Sequence, residues 1–406
     1  MTWVRTRVDR VATVNARIGW KALTASEYQP DGFVFLSTPN IKSGSIDFED
    51  VNYISEYRYE ESPELKLKPG DVLLAKDGNT LGITNIVRDL PRPATVNGSI
   101  AVLRPFGIEP RFLRYALAGS STQGMIEAIK GGMGVPHLFQ WDIKRLPLNL
   151  PPLDEQRRIA DFLDAETARS DHLSALQESV LQTLNQHDQA IRDIMLDELI
   201  DQVGELPLRR YSSWIEQGAS PSCENHSREG DGWGVLRLSA VKRGRFFPEE
   251  NKQLPDEIEP IREYEVREGD LLVTRANTPD LVGDVAVVTN AAPRLLLPDL
   301  IYRVGLDRRL KAEFAAQVFL STRVRSLIQR TARGSSQSMV KLRGEDIREW
   351  PVPRASLGQQ SDVVSEIEGQ LESSERLRAT IRYQLSLLAE RRQALITAAV
   401  TGEISV

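Results

Sequence analysis

The sequence predicts an α+β protein with an internal, pseudo-two-fold repeat, in which two β-rich α/β domains are separated by two long helices packed as an antiparallel coiled coil. Three observations predict it. The chain resembles itself at a shift of about 200 residues, short strands follow a Gly-Asp turn in both halves, and two segments carry near-heptad apolar spacing. The 406 residues also exceed what one hydrophobic core usually organises. We therefore expect four parts, 1–150, 151–203, 204–354 and 355–406.

The repeat is clearest around the first helical segment. Residues 143–195 align without a gap with the residues 204 positions later, and 11 of these 53 aligned positions are identical. Among them are Gln156, which matches Gln360, and Gln189, which matches Gln393. Such a sustained register predicts the order domain, helix, domain, helix.

Each domain is predicted to contain buried strands entered from a Gly-Asp turn. The residues 72–75 and 271–274 are short apolar runs directly after such a turn, which is typical of strands. Further strands are expected at 99–103 and 284–288. The spacing of apolar residues and the scarcity of Gly and Pro predict helices at 111–118 and 313–330.

The two segments between and after the domains are predicted to be long helices. Pro151 and Pro152 end the first domain, and Asp154 and Glu155 place negative charge at a helix N-terminus, where the helix dipole favours it. Apolar residues then recur three or four apart, so each helix has a narrow apolar stripe, or seam, along one face. Such a stripe needs a partner, and we expect the stripe of the other helix to cover it. The predicted core of the helix pair is Ile159, Leu163, Leu173, Leu176, Val180, Leu184, Ile191, Ile367, Leu371, Ile381, Leu385, Leu388 and Leu395.

Composition is that of a soluble globular protein, with 41% hydrophobic and 27% charged residues. The net charge of −6 is uneven: residues 1–150 and 204–354 each carry +2, whereas 151–203 carries −8 and 355–406 carries −2. Charge therefore neither excludes nor indicates a nucleic-acid partner. The single cysteine, Cys223, allows no intrachain disulfide, and no apolar run reaches the length of a membrane span. Charged residues interrupt the first twenty positions, so we expect no secretory leader. We expect a cytoplasmic protein that does not enter a membrane.

Catalytic patterns are missing. The sequence has neither a P-loop nor a dinucleotide-binding glycine motif, and Cys223 with His226 supplies only two ligands for zinc. Asp47, Glu64 and Lys66 have the order of a metal-dependent nuclease site, but such a trio recurs by chance in any charged chain. We predict no catalytic residue, no metal site and no cofactor bound by this chain.

Groups suited to nucleic-acid contact occur at corresponding places in the two halves. A loop with a cation, an amide and a hydroxyl follows each Gly-Asp strand, at 76–80 and at 275–278. Such groups can donate to phosphate oxygens and read base edges, although they also suit an ordinary polar loop, and composition does not separate the two. The candidate DNA-binding residues are Lys42, Lys76, Asn79, Thr80, Lys130, Lys242, Arg243, Arg275, Asn277, Thr278, Arg333, Ser335, Ser336 and Gln337.

Several of these stretches together resemble the specificity subunits of type I restriction–modification enzymes. Leu150–Asp164 resembles the start of that family's central conserved helix, and Leu388–Ile404 the end of its distal conserved region. The Gly-Asp strands, the loop 275–278 and Gly218-Ala219-Ser220-Pro221 are also similar. The chain departs from the pattern at 355–360, a degenerate helix start, and at 184–200, which lacks the Ala-Val-Thr-Gly found at 399–402.

The resemblance implies that each domain is a target-recognition domain for one half of a split double-stranded DNA site. The helices would then act as a spacer and dock the methylation subunits, of which the resemblance implies two, together with the restriction subunits. Those partners would carry S-adenosylmethionine, ATP and Mg²⁺, and this chain would be non-catalytic by itself. At ~1.5 Å per residue the helices limit the domain separation to ~70 Å, so half-sites should lie about one to two DNA turns apart.

Other interpretations remain at this point. One is a specificity subunit of a related system whose partner chain fuses methyltransferase and nuclease. A second is a coiled-coil scaffold whose domains bind proteins rather than DNA. A third is an enzyme of the metal-dependent nuclease type, built on Asp47 and Lys66.

Overall fold

The computed structural model describes residues 3–17, 23–42, 44–131, 136–289, 293–336 and 339–406. It divides into two compact units: unit 1 comprises Met1–Ser179 with Ile381–Val406, and unit 2 comprises Val180–Thr380. Each unit contains one sheet-rich domain and a part of both long helices. The α+β class with an internal repeat is therefore confirmed.

The domain of unit 1 is built on a four-stranded antiparallel sheet with a smaller sheet beside it. The strands of the main sheet, in spatial order, are Ala12–Ala16, Ile100–Pro105, Val72–Ala75 and Thr84–Ile86. Asn52–Ile54, Phe33–Leu36 and Ala94–Val96 form a second sheet, and Val4–Arg7 pairs with Pro147–Leu150. The α-helices are Glu56–Glu60, Pro110–Ala118, Ser120–Ile129 and Gln140–Arg145.

The domain of unit 2 repeats this plan. Its main sheet has the strands Ser212–Gln217, Ile301–Leu306, Leu271–Thr274 and Val285–Val287, and its second sheet has Asn251–Gln253, Gly234–Leu236 and Leu295–Leu296. Smaller sheets are formed by Ala276–Asn277 with Met339–Lys341 and Arg333–Ser336, by Val241–Lys242 with Arg245–Phe246, and by Glu205–Pro207 with Pro351–Pro353. The α-helices are Ala312–Phe319, Thr322–Thr331 and Gly344–Arg348. The prediction of a single helix at 313–330 is thus wrong. The chain forms two helices that are separated at Ser321, whose side chain accepts a hydrogen bond from Val324 N and caps the second helix.

The Gly-Asp turn has the same structural role in both units. Gly70 and Gly269 have φ of +89° and +87°, in the left-handed region that favours glycine. The following carboxylates accept a backbone hydrogen bond that closes the turn, Asp71 from Lys68 N and Asp270 from Arg267 N, each at 2.8 Å. The turn thereby directs the chain into the central strand of each domain.

These central strands are buried on both faces, which explains their continuous apolar sequence. In unit 1, Val72 and Leu74 belong to the core shared with the long helices, whereas Leu73 belongs to the core against the second sheet. In unit 2, Leu271 and Leu272 divide in the same way. Successive side chains point to opposite faces of a strand, so each domain has two cores on one main sheet.

The two long helices are the central helix, Leu153–Val203, and the distal helix, Leu357–Thr401. In unit 1, Glu166 of the central helix pairs with Arg391, and Gln177 is hydrogen-bonded to Gln384. The residue number falls along the distal helix as it rises along the central helix, so the two segments run antiparallel, as predicted. No helix in the described ranges of the chain is long and apolar enough to cross a membrane.

The seam between the helices is only partly the predicted one. Leu173, Leu176 and Val180 are 39%, 51% and 44% exposed, so their assignment to the helix-pair core is wrong. The less exposed positions that follow Leu163 at a spacing of three or four lie one residue away from these three, about 100° around the helix. The apolar pattern did not reveal them because most of them carry polar or small side chains. The buried predicted residues are Ile159, Leu163, Ile367 and Ile381, and the half-buried ones are Leu184, Ile191, Leu371, Leu385, Leu388 and Leu395.

Glutamines of the long helices fasten the domains to them, in the same way in each unit. In unit 1, Gln156 Oε1 accepts a hydrogen bond from Glu109 N (2.9 Å) and Gln393 Nε2 donates to Ala118 O (2.8 Å), at the two ends of one short helix. In unit 2, Gln360 Oε1 accepts from Lys311 N (2.9 Å) and Gln189 Nε2 donates to Leu320 O (3.0 Å). The glutamines are those that match in the sequence repeat.

Candidate nucleic-acid interface

The polar loop after the Gly-Asp strand of unit 1 is held by two backbone hydrogen bonds. Lys76 N donates to Ser99 O, and Lys76 O accepts from Leu138 N, both at 2.8 Å. In addition, Asp77 forms a bridge with His137. The loop is therefore tied to the segment around His137, sixty residues further along the chain.

Unit 2 holds the corresponding loop with the same two bonds. Arg275 N donates to Leu300 O, and Arg275 O accepts from Leu342 N, again at 2.8 Å. Ala276 and Lys341 pair there, in place of Asp77 and His137. The backbone frame of the two loops is thus the same, and the side chains on it differ.

In unit 1 the frame displays a cluster of titratable side chains. Lys76 Nζ lies 3.2 Å from Asp77 Oδ2, and His137 Nδ1 is hydrogen-bonded to the other oxygen of the same carboxylate. The Phe139 ring packs edge-on against the imidazole, with 4.7 Å between the ring centroids. Asp77 therefore orients both a lysine and a histidine.

This cluster lines a pocket of about 550 Å³ that the sequence analysis did not find. Arg17 is buried at its wall, where Nε donates to Val96 O (3.4 Å) and the guanidinium lies 5.6 Å from the centre of the Phe35 ring. Burial lowers the pKa of Arg17, and the positive charge of Arg58 also lowers it, while Glu61 acts in the opposite direction. The pocket combines aromatic walls with two buried cations, Arg17 and Lys76.

In unit 2 the frame displays a different chemistry. Arg275 Nε donates to the Tyr302 hydroxyl (3.2 Å) and Nη1 to Asp299 O (3.4 Å), so the guanidinium is held partly exposed over the sheet. Ala276 supplies no carboxylate, and Asn277 Oδ1 accepts from Thr278 N (2.9 Å). The two loops therefore offer unlike donors and acceptors to a partner.

The other candidate DNA-binding residues are scattered over the two domains. Thr80 Oγ1 donates to Asp77 O (3.2 Å), which places Thr80 within the cluster of unit 1. Lys42 does not share that pocket and lines a different cleft beside the long helices. Arg333, Ser335 and Ser336 lie on the strand Arg333–Ser336, and Gln337 lies outside the described residues. The exposed candidates are Lys42, Asn79, Lys130, Lys242, Arg243 and Thr278.

Catalytic chemistry finds little support in the geometry. Within the described ranges, no group of three or more His, Cys, Asp or Glu side chains is arranged to hold a metal ion. His226 is hydrogen-bonded to Glu224, and burial raises the pKa of Cys223. Lys66 pairs with Glu60, and Asp47 accepts hydrogen bonds from backbone N–H groups of its own loop.

The two domains thus repeat one arrangement of backbone hydrogen bonds and place different side chains on it. Residues 2–182 match the family model described as type I restriction modification DNA specificity domain. The type I restriction enzyme EcoKI specificity subunit of Escherichia coli (strain K12) is 22% identical over 417 residues, covering 99% of this chain and 89% of that protein. The StySPI specificity subunit of Salmonella potsdam is 20% identical, with the same coverage.

A solved structure agrees with these matches. A chain from work on complex assembly and conformational transition of the type I R-M system aligns with a TM-score of 0.66 at 18% identity, covering 99% of this chain and 98% of that one, which shows a shared fold. Over almost its whole length the chain is similar to specificity subunits of type I restriction–modification enzymes, and its residues 2–182 match the corresponding DNA specificity domain.

Proposed function

We propose that the domain of each unit reads one half of a split double-stranded DNA site, with the loop after its Gly-Asp strand as the reading element. The observation that carries this proposal is that both loops are held by corresponding backbone hydrogen bonds and carry different side chains. Lys76, Asp77 and His137 in unit 1 correspond to Arg275, Ala276 and Lys341 in unit 2. Base edges in the major groove differ in their donors and acceptors, so unlike side chains on one frame select unlike half-sites.

The domains bring little electrostatic attraction of their own. Residues 1–150 and 204–354 each carry a net charge of only +2, and phosphate neutralisation supplies most of non-specific DNA affinity. We therefore expect tight binding only after partner chains assemble around this subunit. Nanomolar specific binding by the purified chain alone would contradict this expectation.

The partners in this proposal are methylation subunits, two per chain, and restriction subunits. Support comes from apolar side chains that the helix pair leaves exposed in unit 1, Leu173 and Leu176 on the central helix and Leu387 on the distal helix. Exposed leucines in proximity are typical of surfaces that another chain covers. S-adenosylmethionine, ATP and Mg²⁺ belong to those partners.

The test is to map methylated adenines across the genome of cells that express the subunit with its partners. The triple variant K76R/D77A/H137K gives the loop of unit 1 the side chains of unit 2, and it should change one half of the methylated motif while the other half stays. K144Q, an exposed substitution in the same domain, should leave the motif unchanged. A motif that stays the same in the triple variant, or changes in both halves, would contradict the proposal.

A further inference from the structure

A cleft of about 740 Å³ lies within unit 1, between the domain and the two long helices. Its walls include Arg114 on the helix Pro110–Ala118, Arg392 on the distal helix and the exposed Lys42 of the domain. Asp171 of the central helix is the acidic side chain that lines it. Three cationic side chains and one carboxylate therefore line a space large enough for a phosphorylated ligand.

Arg114 is the unusual member of this set. It is only 8% exposed, yet in the described part of the chain no acceptor or carboxylate pairs with its guanidinium, and its buried Nε has no hydrogen-bond partner. Its guanidinium carbon lies 4.6 Å from the centroid of the Tyr115 ring. Burial lowers the pKa of Arg114, the positive charges of Arg392 and Arg88 lower it further, and Tyr115 and Asp164 act in the opposite direction without outweighing them. A buried cation without a partner is costly, so this arrangement favours an anion.

Arg392 reaches the same cleft with its own charge only partly balanced. Its buried Nε lies 3.3 Å from Asp171 Oδ1 without the alignment of a hydrogen bond. The Asp171 side chain is 51% exposed, so water screens its charge. Two guanidinium groups consequently remain available to a ligand, and paired guanidinium groups match the oxygens of a phosphate.

Unit 2 lacks this arrangement at the corresponding positions. The hydrogen bonds of Gln393 to Ala118 O and of Gln189 to Leu320 O align the two units, which places Ala316 where unit 1 has Arg114. In the same alignment Asp188 stands where unit 1 has Arg392. The cationic cleft is thus a property of unit 1 and not of the shared fold.

We propose that the cleft of unit 1 binds a phosphate group through Arg114 and Arg392. The phosphate belongs either to the DNA backbone or to a free phosphorylated compound, since both present the same oxygens. The site goes beyond the base-reading loops of the proposed function and does not depend on them.

The experiment is a calorimetric titration of the full chain with pyrophosphate at constant ionic strength, for the wild type and three variants. R392Q removes one guanidinium and should weaken binding at least tenfold, and R114K, which keeps the buried charge, should weaken it several-fold. R391Q is the matched control, because Arg391 is the neighbouring, exposed residue that pairs with Glu166 away from the cleft, and it should bind like the wild type. Thermal unfolding establishes that each variant is folded.

A parallel titration with duplex DNA, carried out on the chain assembled with its partner subunits, separates the two sources of the phosphate. If R392Q also weakens duplex binding and pyrophosphate displaces the duplex, the ligand is the DNA backbone. If R392Q binds the duplex like the wild type, the ligand is a free phosphorylated compound. Absence of saturable pyrophosphate binding, or an equal loss in R391Q, overturns the site. Failure of every variant and of the wild type to bind DNA would count against DNA reading, while the pyrophosphate arm would still decide the site.

Discussion

Arg378 of the distal helix and Asp188 of the central helix form an ion pair in unit 2, with 2.5 Å between Nη2 and Oδ2 and only 7% and 12% of the side chains exposed. The same guanidinium is hydrogen-bonded to Asn185 Oδ1 (3.2 Å) and Glu375 Oε1 (3.0 Å). A charged pair thus occupies a position where a coiled-coil seam would usually carry a leucine. Pairing makes this burial tolerable, and each partner alone would be a buried, unbalanced charge.

Removal of one member of this pair should destabilise unit 2 strongly. We expect D188A to lower its free energy of unfolding by about 3–5 kcal/mol, because Arg378 then stays buried without its main partner. The double substitution D188L/R378L should recover most of that loss, since two packed leucines suit a seam. Chemical denaturation, with hydrogen exchange to assign the loss to unit 2, measures both effects.

The control is Arg376, which forms an exposed pair with Glu372 on the same helix. R376A should change the unfolding free energy by less than about 1 kcal/mol, as exposed pairs do. Equal effects of D188A and R376A would show that burial of the ion pair does not matter.

The buried glutamines offer a second test of how the domains are fastened. Gln360 is 1% exposed and also donates to Arg309 O (2.8 Å) and Ala355 O (2.9 Å). Q360A leaves these groups and Lys311 N without partners, so we expect a loss of about 1–3 kcal/mol. Hydrogen exchange should rise in the helix Ala312–Phe319. Q370A, an exposed change on the distal helix that carries Gln360, should alter neither the unfolding free energy nor the hydrogen exchange.

The repeat was predictable from the sequence because an identical register reflects identical roles. Gln156 and Gln360 match at a shift of 204 and make corresponding hydrogen bonds to their domains. The face of the helix seam was harder to predict. Leu173 and Leu176 have the apolar character of a seam, but apolar spacing does not show that the polar Ser170 is the residue buried there.

The pocket of unit 1 was beyond prediction for a different reason. His137 is hydrogen-bonded to Asp77, sixty residues earlier in the sequence, and Arg17, which directly follows the strand Ala12–Ala16, lines the same pocket. Contacts of that separation leave no local pattern, unlike a strand or a helix. The Gly-Asp motif did locate the loop, because the turn and the strand that position Lys76 are local in sequence.

The pH dependence of unit 1 should follow Asp164. Burial opposes its ionisation, but hydrogen bonds from Arg88 (2.7 Å), Tyr115 (2.7 Å) and Arg111 (3.1 Å) outweigh burial and lower the pKa of Asp164. The stabilisation is therefore present above the unfolded-state pKa of about 3.9 and is lost as pH falls through the lower folded-state pKa. D164N should cost about 1.5–3 kcal/mol at pH 7, and the difference from the wild type should shrink below about pH 4.

Denaturation of both proteins across pH 3 to 7 measures this difference. D161N is the matched control, because Asp161 also pairs with Arg111 but is 68% exposed, and it should cost less than about 1 kcal/mol. A difference between D164N and the wild type that is the same at pH 3 and pH 7 would show that ionisation of Asp164 contributes nothing.

Two glycines should respond to alanine in opposite directions. Gly369 lies inside the distal helix, and a Cβ built on it meets nothing within 4 Å, so G369A should raise the unfolding free energy of unit 2 by about 0.4–1 kcal/mol through the unfolded state. Gly269 also has open space around it, but its φ of +87° is strained for alanine. G269A should therefore destabilise unit 2 by roughly 1–2 kcal/mol. Since both sites are free of steric contact, a stabilising G269A would show that the Gly-Asp turn does not need its left-handed residue.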